Sequence, residues 1–258
     1  MDSEVRYEIV AGIARLTIDR EPARNALSPG VVQGLIAGLK RAEDDPAVRC
    51  VVLTGAGERV FCAGGDLGGL SGDGFLDGHD GRRGYGQLLL SFQQVKKPTV
   101  ARVNGHALAG GLGLVLACDL AVSTEAAGFG TPEIDRGLFP MMLLAFLQRH
   151  VGRKRALEML LTGDRIPAAR ALEWGLVNQV VPPQDLDTAT ASLAGKLAGK
   201  SLAILALGRR SFFTAEDLPL AQSVEFLAAQ LSLNVLTEDA AEGVTAFLEK
   251  RPAKWNDR

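Results

Sequence analysis

Two glycine-rich segments carry residues whose chemistry can be specified first. FCAGGDL occupies residues 61–67 and NGHALAGGLGL occupies residues 104–114, and each follows a predicted strand. The first turn of a helix leaves its backbone N–H groups unpaired, and glycine lets a ligand approach the backbone closely. On neighbouring parallel strands, one N–H from each segment could converge on a single oxygen. Loss of one donor from such an oxyanion hole costs about 3–4 kcal/mol of transition-state stabilisation.

Each glycine motif by itself is more typical of a tight turn, so this interpretation depends on the two occurring together. Neither the dinucleotide fingerprint GxGxxG nor the phosphate-binding GxxxxGK[ST] loop is present. The three cysteines and three histidines show no CxxC or HExxH spacing. We therefore expect no disulfide framework and no metal site.

The composition limits the class of protein. The chain has 258 residues, of which 47% are hydrophobic, and this length suits one α/β domain. Its formal net charge of −2 gives no basic field that would favour nucleic acid or a membrane surface. No apolar segment reaches the roughly 20 residues of a membrane span, and the N-terminus lacks a secretory signal pattern. A cytoplasmic location is expected.

The strands that would position the glycine motifs are short and apolar. Segments 50–55, 99–105 and 119–124 read as buried strands separated by helical segments, which predicts a mostly parallel sheet. Residues 5–18 predict a hairpin that turns at Ala11 and Gly12. Ser28 and Pro29 predict the start of a helix that continues to about Glu43.

The second half of the chain is predominantly helical. We predict an α/β core over residues 1–195 and a helical C-terminal region over 196–258. The apolar stripes of this region exceed what one small bundle needs. They indicate a subunit interface, with packing onto its own core as the alternative.

The segment from residue 68 to residue 86 differs from its surroundings. It is rich in Gly and Asp and has almost no apolar periodicity, which predicts a mobile surface segment. It is either a simple loop insertion or a lid over the site that follows the first glycine motif.

The order and spacing of several motifs resemble the enoyl-CoA hydratase/isomerase family, also called the crotonase family. FCAGGDL, NGHALAGGLGLVLACD and FGTPEIDRGLFP carry the resemblance. RNALS at 24–28, LTGDRIPAARALEWGLVNQVVP at 161–182 and FLEKRPAKW at 247–255 extend it over nearly the whole chain.

The resemblance implies a fold, a substrate and a site. The fold is α/β, a spiral of ββα units with a helical C-terminal trimerisation region, often assembled as a homotrimer or a dimer of trimers. The substrate is an acyl-CoA thioester, so that coenzyme A is part of the substrate and no separate cofactor is implied. The N–H groups that hold the thioester oxygen correspond to Gly65 and Gly110.

The resemblance also assigns residues to the substrate. Ala63, Gly64, Asp66 and Leu67 match positions beside the CoA, and Arg24, Ala26 and Leu27 match the segment along its pantetheine and adenine. Leu108 and Pro132 join this binding set. Phe247 and Lys250 match a C-terminal pair that in relatives reaches the CoA of a neighbouring subunit, although Lys250 is equally well explained as a solvated helix end.

The acid–base residues depart from those of the family's hydratases. Such hydratases use two glutamates, and the second of them corresponds to Glu133 in the PEI segment. The first corresponds to position 113, which is glycine here and can neither take nor give a proton. One carboxylate suffices to move a proton between two carbons, so double-bond isomerisation is favoured. The simpler interpretation of Glu133 is an acid at a helix start after Pro132.

Other reactions remain open at this point. Hydration or C–C cleavage such as decarboxylation would need a substitute acid, and the 68–86 segment offers Asp73, Asp77 and Asp80. The same segment carries His79, Arg82, Arg83 and Tyr85, and Asp135 follows Glu133. A CoA-binding protein without catalysis is the alternative from another class. Met141 and Met142 stand where many relatives have a glycine-rich turn, and they indicate a reshaped acyl pocket or simple core packing.

Overall fold

Short apolar segments form a six-stranded sheet. The structure, a computed structural model, describes residues 4–66 and 75–258. The strands lie in the order β1 (Val5–Val10), β2 (Ile13–Ile18), β3 (Cys50–Gly55), β5 (Thr99–Val103), β7 (Leu120–Thr124) and β10 (Gln179–Val181). Only β1 and β2 pair antiparallel, and all other neighbours run parallel. The three buried strands and the N-terminal hairpin predicted from the sequence are confirmed.

A second, smaller sheet was not predicted. Its strands follow the order β4 (Val60–Cys62), β6 (His106–Leu108), β8 (Gly128–Gly130) and β9 (Ile166–Pro167), with β9 antiparallel to β8. Strands of two or three residues are too short to show a hydrophobic period, which explains why sequence patterns missed them. Along the chain, β3 and β4 precede a helix, as do β5 and β6 and then β7 and β8. In each unit the first strand joins the large sheet and the second joins the small sheet, so the chain winds as repeated ββα units. The α/β class and the spiral of ββα units are therefore confirmed.

Ten α-helices lie within the described residues. They are α1 (Pro29–Asp44), α2 (Phe75–Gln94), α3 (Gly110–Ala117), α4 (Met141–His150), α5 (Arg153–Thr162), α6 (Ala168–Glu173), α7 (Leu186–Ala198), α8 (Leu202–Glu216), α9 (Leu220–Asn234) and α10 (Glu238–Leu248). The predicted start of α1 is confirmed, because the Ser28 hydroxyl accepts a hydrogen bond from the Val31 N–H at 3.1 Å.

The prediction of an irregular segment over 68–86 was wrong for its second half. Residues from Phe75 onward belong to α2. This helix packs against α1 and α3 and buries Leu88, Leu89 and Phe92. Its many glycines lower the intrinsic helix propensity by about 1 kcal/mol each, but the buried apolar face overrides that penalty. Residues 67–74 lie outside the described residues.

The four C-terminal helices differ in burial. α7 lies against β3, β5 and β7 and runs across the predicted division at residue 195. By contrast, α9 buries none of its residues within this single chain. Over residues 4–66 and 75–258, no single helix has the length and apolar character to cross a membrane. The segments Pro183–Ala198 and Leu202–Glu216 reach that length and apolar character only together, and the chain bends by 100° between them.

Candidate active site

The two glycine motifs follow adjacent strands. β4 and β6 pair in parallel, with Val60 opposite His106 and Cys62 opposite Ala107. The carboxyl ends of parallel strands meet at one edge, so both motifs leave the small sheet side by side. Gly64 has a φ of +94°, and a Cβ at this position would overlap the Ala109 side chain. Only glycine permits this close approach.

The N–H of Gly65 points away from the segment that contains Leu27. Gly65 pairs with Leu27 in an isolated parallel bridge. The bridge uses the Leu27 N–H, which donates to the Gly64 carbonyl at 2.8 Å, and the Asp66 N–H, which donates to the Leu27 carbonyl at 3.2 Å. In a parallel bridge of this kind, the N–H of the central residue faces the opposite side. Among the described residues, a Cβ at Gly65 would meet nothing within 4 Å.

Gly110 is the first residue of α3, so its N–H precedes the hydrogen-bonded part of the helix. Its direction is set by Ala109, which has φ 53° and ψ −129°. This backbone conformation is rare for a residue with a side chain and costs on the order of 1–3 kcal/mol. The Ala109 N–H is held by the Gly130 carbonyl at 2.9 Å. A Cβ on Gly64 would lie 3.0 Å from the Gly110 nitrogen, so the two motifs are in contact there.

Glu133 lies at the start of the short 3-10 turn Ile134–Arg136. Its side chain makes no capping hydrogen bond to that turn, which argues against the simple helix-start interpretation. Within the described part of the chain, its Oε2 is buried and has no hydrogen-bond partner. Burial raises the pKa of this carboxyl, and its own backbone N–H and Arg136 oppose that change. A buried carboxylate with a raised pKa is a stronger base than an exposed one, which suits proton transfer.

Tyr85 reaches the same place from α2. Its hydroxyl donates to the Gly110 carbonyl at 2.8 Å. Burial raises the pKa of Tyr85 well above its ordinary value, and the nearby Cys62 and Glu133 raise it further. Sequence patterns placed Tyr85 only among the polar residues of an irregular segment. The missed signal was the helical spacing of Tyr85 with Leu88, Leu89 and Phe92.

The predicted CoA-binding residues fall on two adjoining segments. The Ala63 N–H donates to the Arg24 carbonyl at 3.1 Å, and the Leu27–Gly65 bridge continues this pairing. The structure thus brings together residues 24–27 and 63–66. Leu67 lies outside the described residues.

Two residues that sequence reasoning missed hold these segments. The Arg20 Nη1 donates to the Ala26 carbonyl at 2.9 Å and to the Asp66 Oδ2 at 3.0 Å. The Asn25 side-chain nitrogen is buried and donates to the carbonyls of Ala56 and Val60 at 2.9 and 2.8 Å. Arg20 lies outside the motifs, and Asn25 lies within RNALS at 24–28, but no spacing indicates their partners, which are backbone groups and a carboxylate.

The remaining predicted residues lie at different distances from this arrangement. Leu108 lies within the second glycine motif and pairs with Gly130, and Pro132 precedes Glu133. Phe247 is 82% exposed near the end of α10, and Lys250 follows with a left-handed φ of 54°. Among the described residues of this single chain, no hydrogen bond joins this C-terminal pair to the glycine motifs.

Of the three candidate substitute acids, only the Asp80 side chain belongs to the described residues. Asp73 lies outside the described residues, as does the side chain of Asp77, whereas Asp80 is exposed on α2.

Met141 is 66% exposed, and Met142 is half-buried with its sulfur 3.9 Å from where a Cβ at Gly86 would lie. Over residues 4–66 and 75–258, no three His, Cys, Asp or Glu side chains gather as metal ligands.

Known proteins resemble this chain over nearly its whole length. The family model described as enoyl-CoA hydratase/isomerase matches residues 8–258. A mitochondrial enoyl-CoA hydratase of Pongo abelii is 36% identical over 95% of this chain and 84% of that protein. A probable enoyl-CoA hydratase of Rhizobium meliloti (strain 1021) is 35% identical over 95% of both chains.

Solved structures extend the similarity to the fold. The enoyl-CoA hydratase structure of Mycobacterium smegmatis superimposes with a TM-score of 0.93 at 35% identity, covering 97% of this chain and 98% of that one. The enoyl-CoA hydratase structure of Bacillus anthracis has a TM-score of 0.94 at 29% identity, covering 99% and 100%. The family match over nearly the whole chain and the fold agree, and the protein is therefore an enzyme that belongs to the enoyl-CoA hydratase/isomerase family.

Proposed function

We propose that this enzyme binds an acyl-CoA thioester, holds the thioester oxygen with the N–H groups of Gly65 and Gly110, and moves a proton with Glu133. The observation that carries this proposal is the contact between the two glycine motifs, each with an N–H outside the sheet and helix hydrogen bonds. Two such donors stabilise the negative charge that appears on oxygen when an enolate forms.

The proposed reaction is a shift of the acyl double bond. The Glu133 carboxylate removes a proton from the α-carbon of a 3-enoyl thioester, and the electron pair delocalises onto the thioester oxygen and the double bond. Glu133 then returns the proton to the γ-carbon, which gives the 2-enoyl thioester. Atoms and charge balance without a cofactor, because CoA is part of the substrate. A carboxyl whose pKa is raised by burial is a stronger base than an exposed one.

Two features favour isomerisation over hydration by a pair of carboxylates. Position 113 is a glycine, and a Cβ there would overlap the Tyr85 hydroxyl oxygen. The raised pKa keeps Tyr85 neutral, so the hydroxyl that occupies this space carries no negative charge. Hydration is the second candidate, because several similar proteins carry the name enoyl-CoA hydratase.

A panel of substrates tests the proposal. We expect turnover of 3-enoyl-CoA to 2-enoyl-CoA, and little hydration of 2-enoyl-CoA or decarboxylation of a malonyl-type CoA, each followed by product chromatography. Glu133→Gln should lower kcat for isomerisation by about 10²- to 10⁴-fold, because a general base typically contributes that much. The matched control is Glu158→Gln, the same chemical change at an exposed position of α5.

Two results would contradict the proposal. Undiminished isomerisation by Glu133→Gln would remove Glu133 from the proton chemistry. Tight CoA binding without turnover of any panel member would instead support a binding protein.

We also propose that the enzyme assembles as a homotrimer or a dimer of trimers. Large apolar side chains on α9 and its surroundings are exposed in the single chain, including Leu220 at 81%, Leu231 at 62% and Leu236 at 80%. Contiguous apolar exposure of this kind typically marks an interface. Assembly would also place Phe247 and Lys250 against a neighbouring subunit, where the family resemblance puts them.

A further inference from the structure

The hydroxyl of Tyr85 lies against the first turn of α3. It donates to the Gly110 carbonyl at 2.8 Å. A Cβ at Gly110 would lie 3.3 Å from both the Cζ and the hydroxyl oxygen of Tyr85. A Cβ at Gly113 would overlap that oxygen, although it would lie 3.4 Å from the ring carbon Cζ and 3.6 Å from Leu89 Cδ2. The hydroxyl, and not the ring, is therefore what excludes a Cβ at position 113.

The first turn of α3 needs external support. Three of its four residues are glycine, namely Gly110, Gly111 and Gly113. Each glycine disfavours the helix by about 1 kcal/mol relative to alanine. Close packing explains why these positions are glycine. A Cβ at Gly111 would overlap the Cys62 carbonyl, and a Cβ at Gly113 would overlap the Tyr85 hydroxyl. The turn is thus held by close neighbours rather than by its own propensity.

We propose that Tyr85 is a positioning residue for the oxyanion hole, whose hydroxyl holds the Gly110 peptide group and keeps position 113 free of any side chain. The catalytic part of this proposal rests on the proposed function, because it assumes that the Gly110 N–H binds the thioester oxygen. Its steric part stands on the packing alone. The hydroxyl of a residue from α2 thus occupies the space that a Cβ at position 113 would take.

The protonation state of Tyr85 supports this role. Burial, with Cys62 and Glu133 nearby, keeps the pKa of Tyr85 well above its ordinary value. The hydroxyl therefore retains its proton and donates to Gly110 over the whole working range of pH. A donor in a supporting contact of this kind fixes the direction of the group that touches the substrate.

A cycle of stability measurements tests the steric part. Gly113→Ala should lower the melting temperature of the wild type, because the new methyl meets the Tyr85 hydroxyl. In the Tyr85→Phe background the same substitution should raise the melting temperature or leave it unchanged, because the obstructing oxygen is gone and alanine favours the helix. An equal effect in the two backgrounds would overturn the steric part. Thermal unfolding followed by circular dichroism needs no substrate.

Kinetics and infrared spectroscopy test the positioning part. Tyr85→Phe should lower kcat by about 10- to 100-fold, as expected for a misplaced reacting group, with KM changed less than about twofold. The thioester carbonyl stretch of bound ¹³C-labelled butyryl-CoA should move toward its value in water, because the Gly110 N–H polarises the carbonyl less. The matched control is Tyr7→Phe on β1, which should change neither quantity.

The outcomes separate the two proposals. An unchanged kcat and carbonyl frequency in Tyr85→Phe would overturn the positioning role while leaving the proposed function intact. If wild-type protein neither turns over enoyl-CoA nor binds butyryl-CoA, the proposed function fails and the positioning role fails with it. The stability cycle then still decides whether Tyr85 keeps position 113 free of side chains.

Discussion

At the scale of single residues, the proposed chemistry combines neutral donors with the Glu133 carboxylate. The backbone N–H groups of Gly65 and Gly110 cannot change protonation, and Tyr85 stays neutral. Cys62 is fully buried, which raises its pKa to about 12 and keeps it a thiol. The pH dependence of proton transfer should therefore follow Glu133, whose pKa is raised by burial.

The raised pKa of Glu133 predicts how activity and stability depend on pH. The folded state binds more protons than the unfolded state between the unfolded and folded pKa values, so Glu133 lowers stability as pH rises through that window. The wild-type kcat/KM should rise through the same folded pKa, because the base must be ionised.

Substitution at Glu133 isolates this effect. Glu133→Gln removes the buried charge, so its free energy of unfolding should exceed that of the wild type at pH 8. The difference should shrink below the ordinary glutamate pKa of about 4.3. Urea unfolding at several pH values measures this, and a difference independent of pH would contradict the raised pKa.

At the scale of elements, the close approach of two loops sets the position of the N–H donors. Gly64 and Gly65 are adjacent, yet their surroundings differ. Gly64 has a positive φ and faces Ala109, whereas a Cβ on Gly65 would meet no described residue within 4 Å. A sequence pattern cannot separate these two glycines, because the distinction depends on a segment more than forty residues away.

Alanine substitutions should reveal this difference. Gly64→Ala should lower the free energy of unfolding by about 1–3 kcal/mol, because it combines an unfavourable φ with overlap. Gly65→Ala should change the free energy by no more than about 0.5 kcal/mol. Chemical denaturation of both variants measures this, and equal losses would show that the two loops do not touch as described.

At the scale of the whole molecule, a single chain leaves an apolar helix face uncovered. Leu220, Val224, Leu227 and Leu231 repeat at helical spacing along one face of α9, and α9 buries none of its residues. Core helices such as α3 instead bury nearly every residue. The uncovered face is the basis of the proposed subunit interface.

Sedimentation velocity should detect this assembly. We expect the wild type to sediment as a trimer or hexamer and Leu231→Glu to shift it toward the monomer, because a charge buried in an apolar interface is strongly unfavourable. Gln222→Glu places the same charge on the opposite face of α9 and should leave the assembly unchanged. A monomeric wild type at micromolar concentration would refute the interface.

Local sequence determined the elements whose signals are periodic or directly chemical. Apolar strands such as β3 and β5, the hairpin at Ala11 and Gly12, and the capped start of α1 follow from burial patterns and turn chemistry between nearby residues. The order of the glycine motifs and the PEI segment was sufficient to indicate the family. The residue type alone also showed that position 113 carries no carboxylate.

Only the tertiary structure decided how these parts meet. The short strands of the second sheet form because distant segments pair with them, and α2 persists despite its glycines because Leu88, Leu89 and Phe92 are buried. The same packing brings the Tyr85 hydroxyl to Gly110 and Gly113. These contacts join residues far apart in sequence, and their energies come from burial and close approach. Their effect could not be read from local propensity.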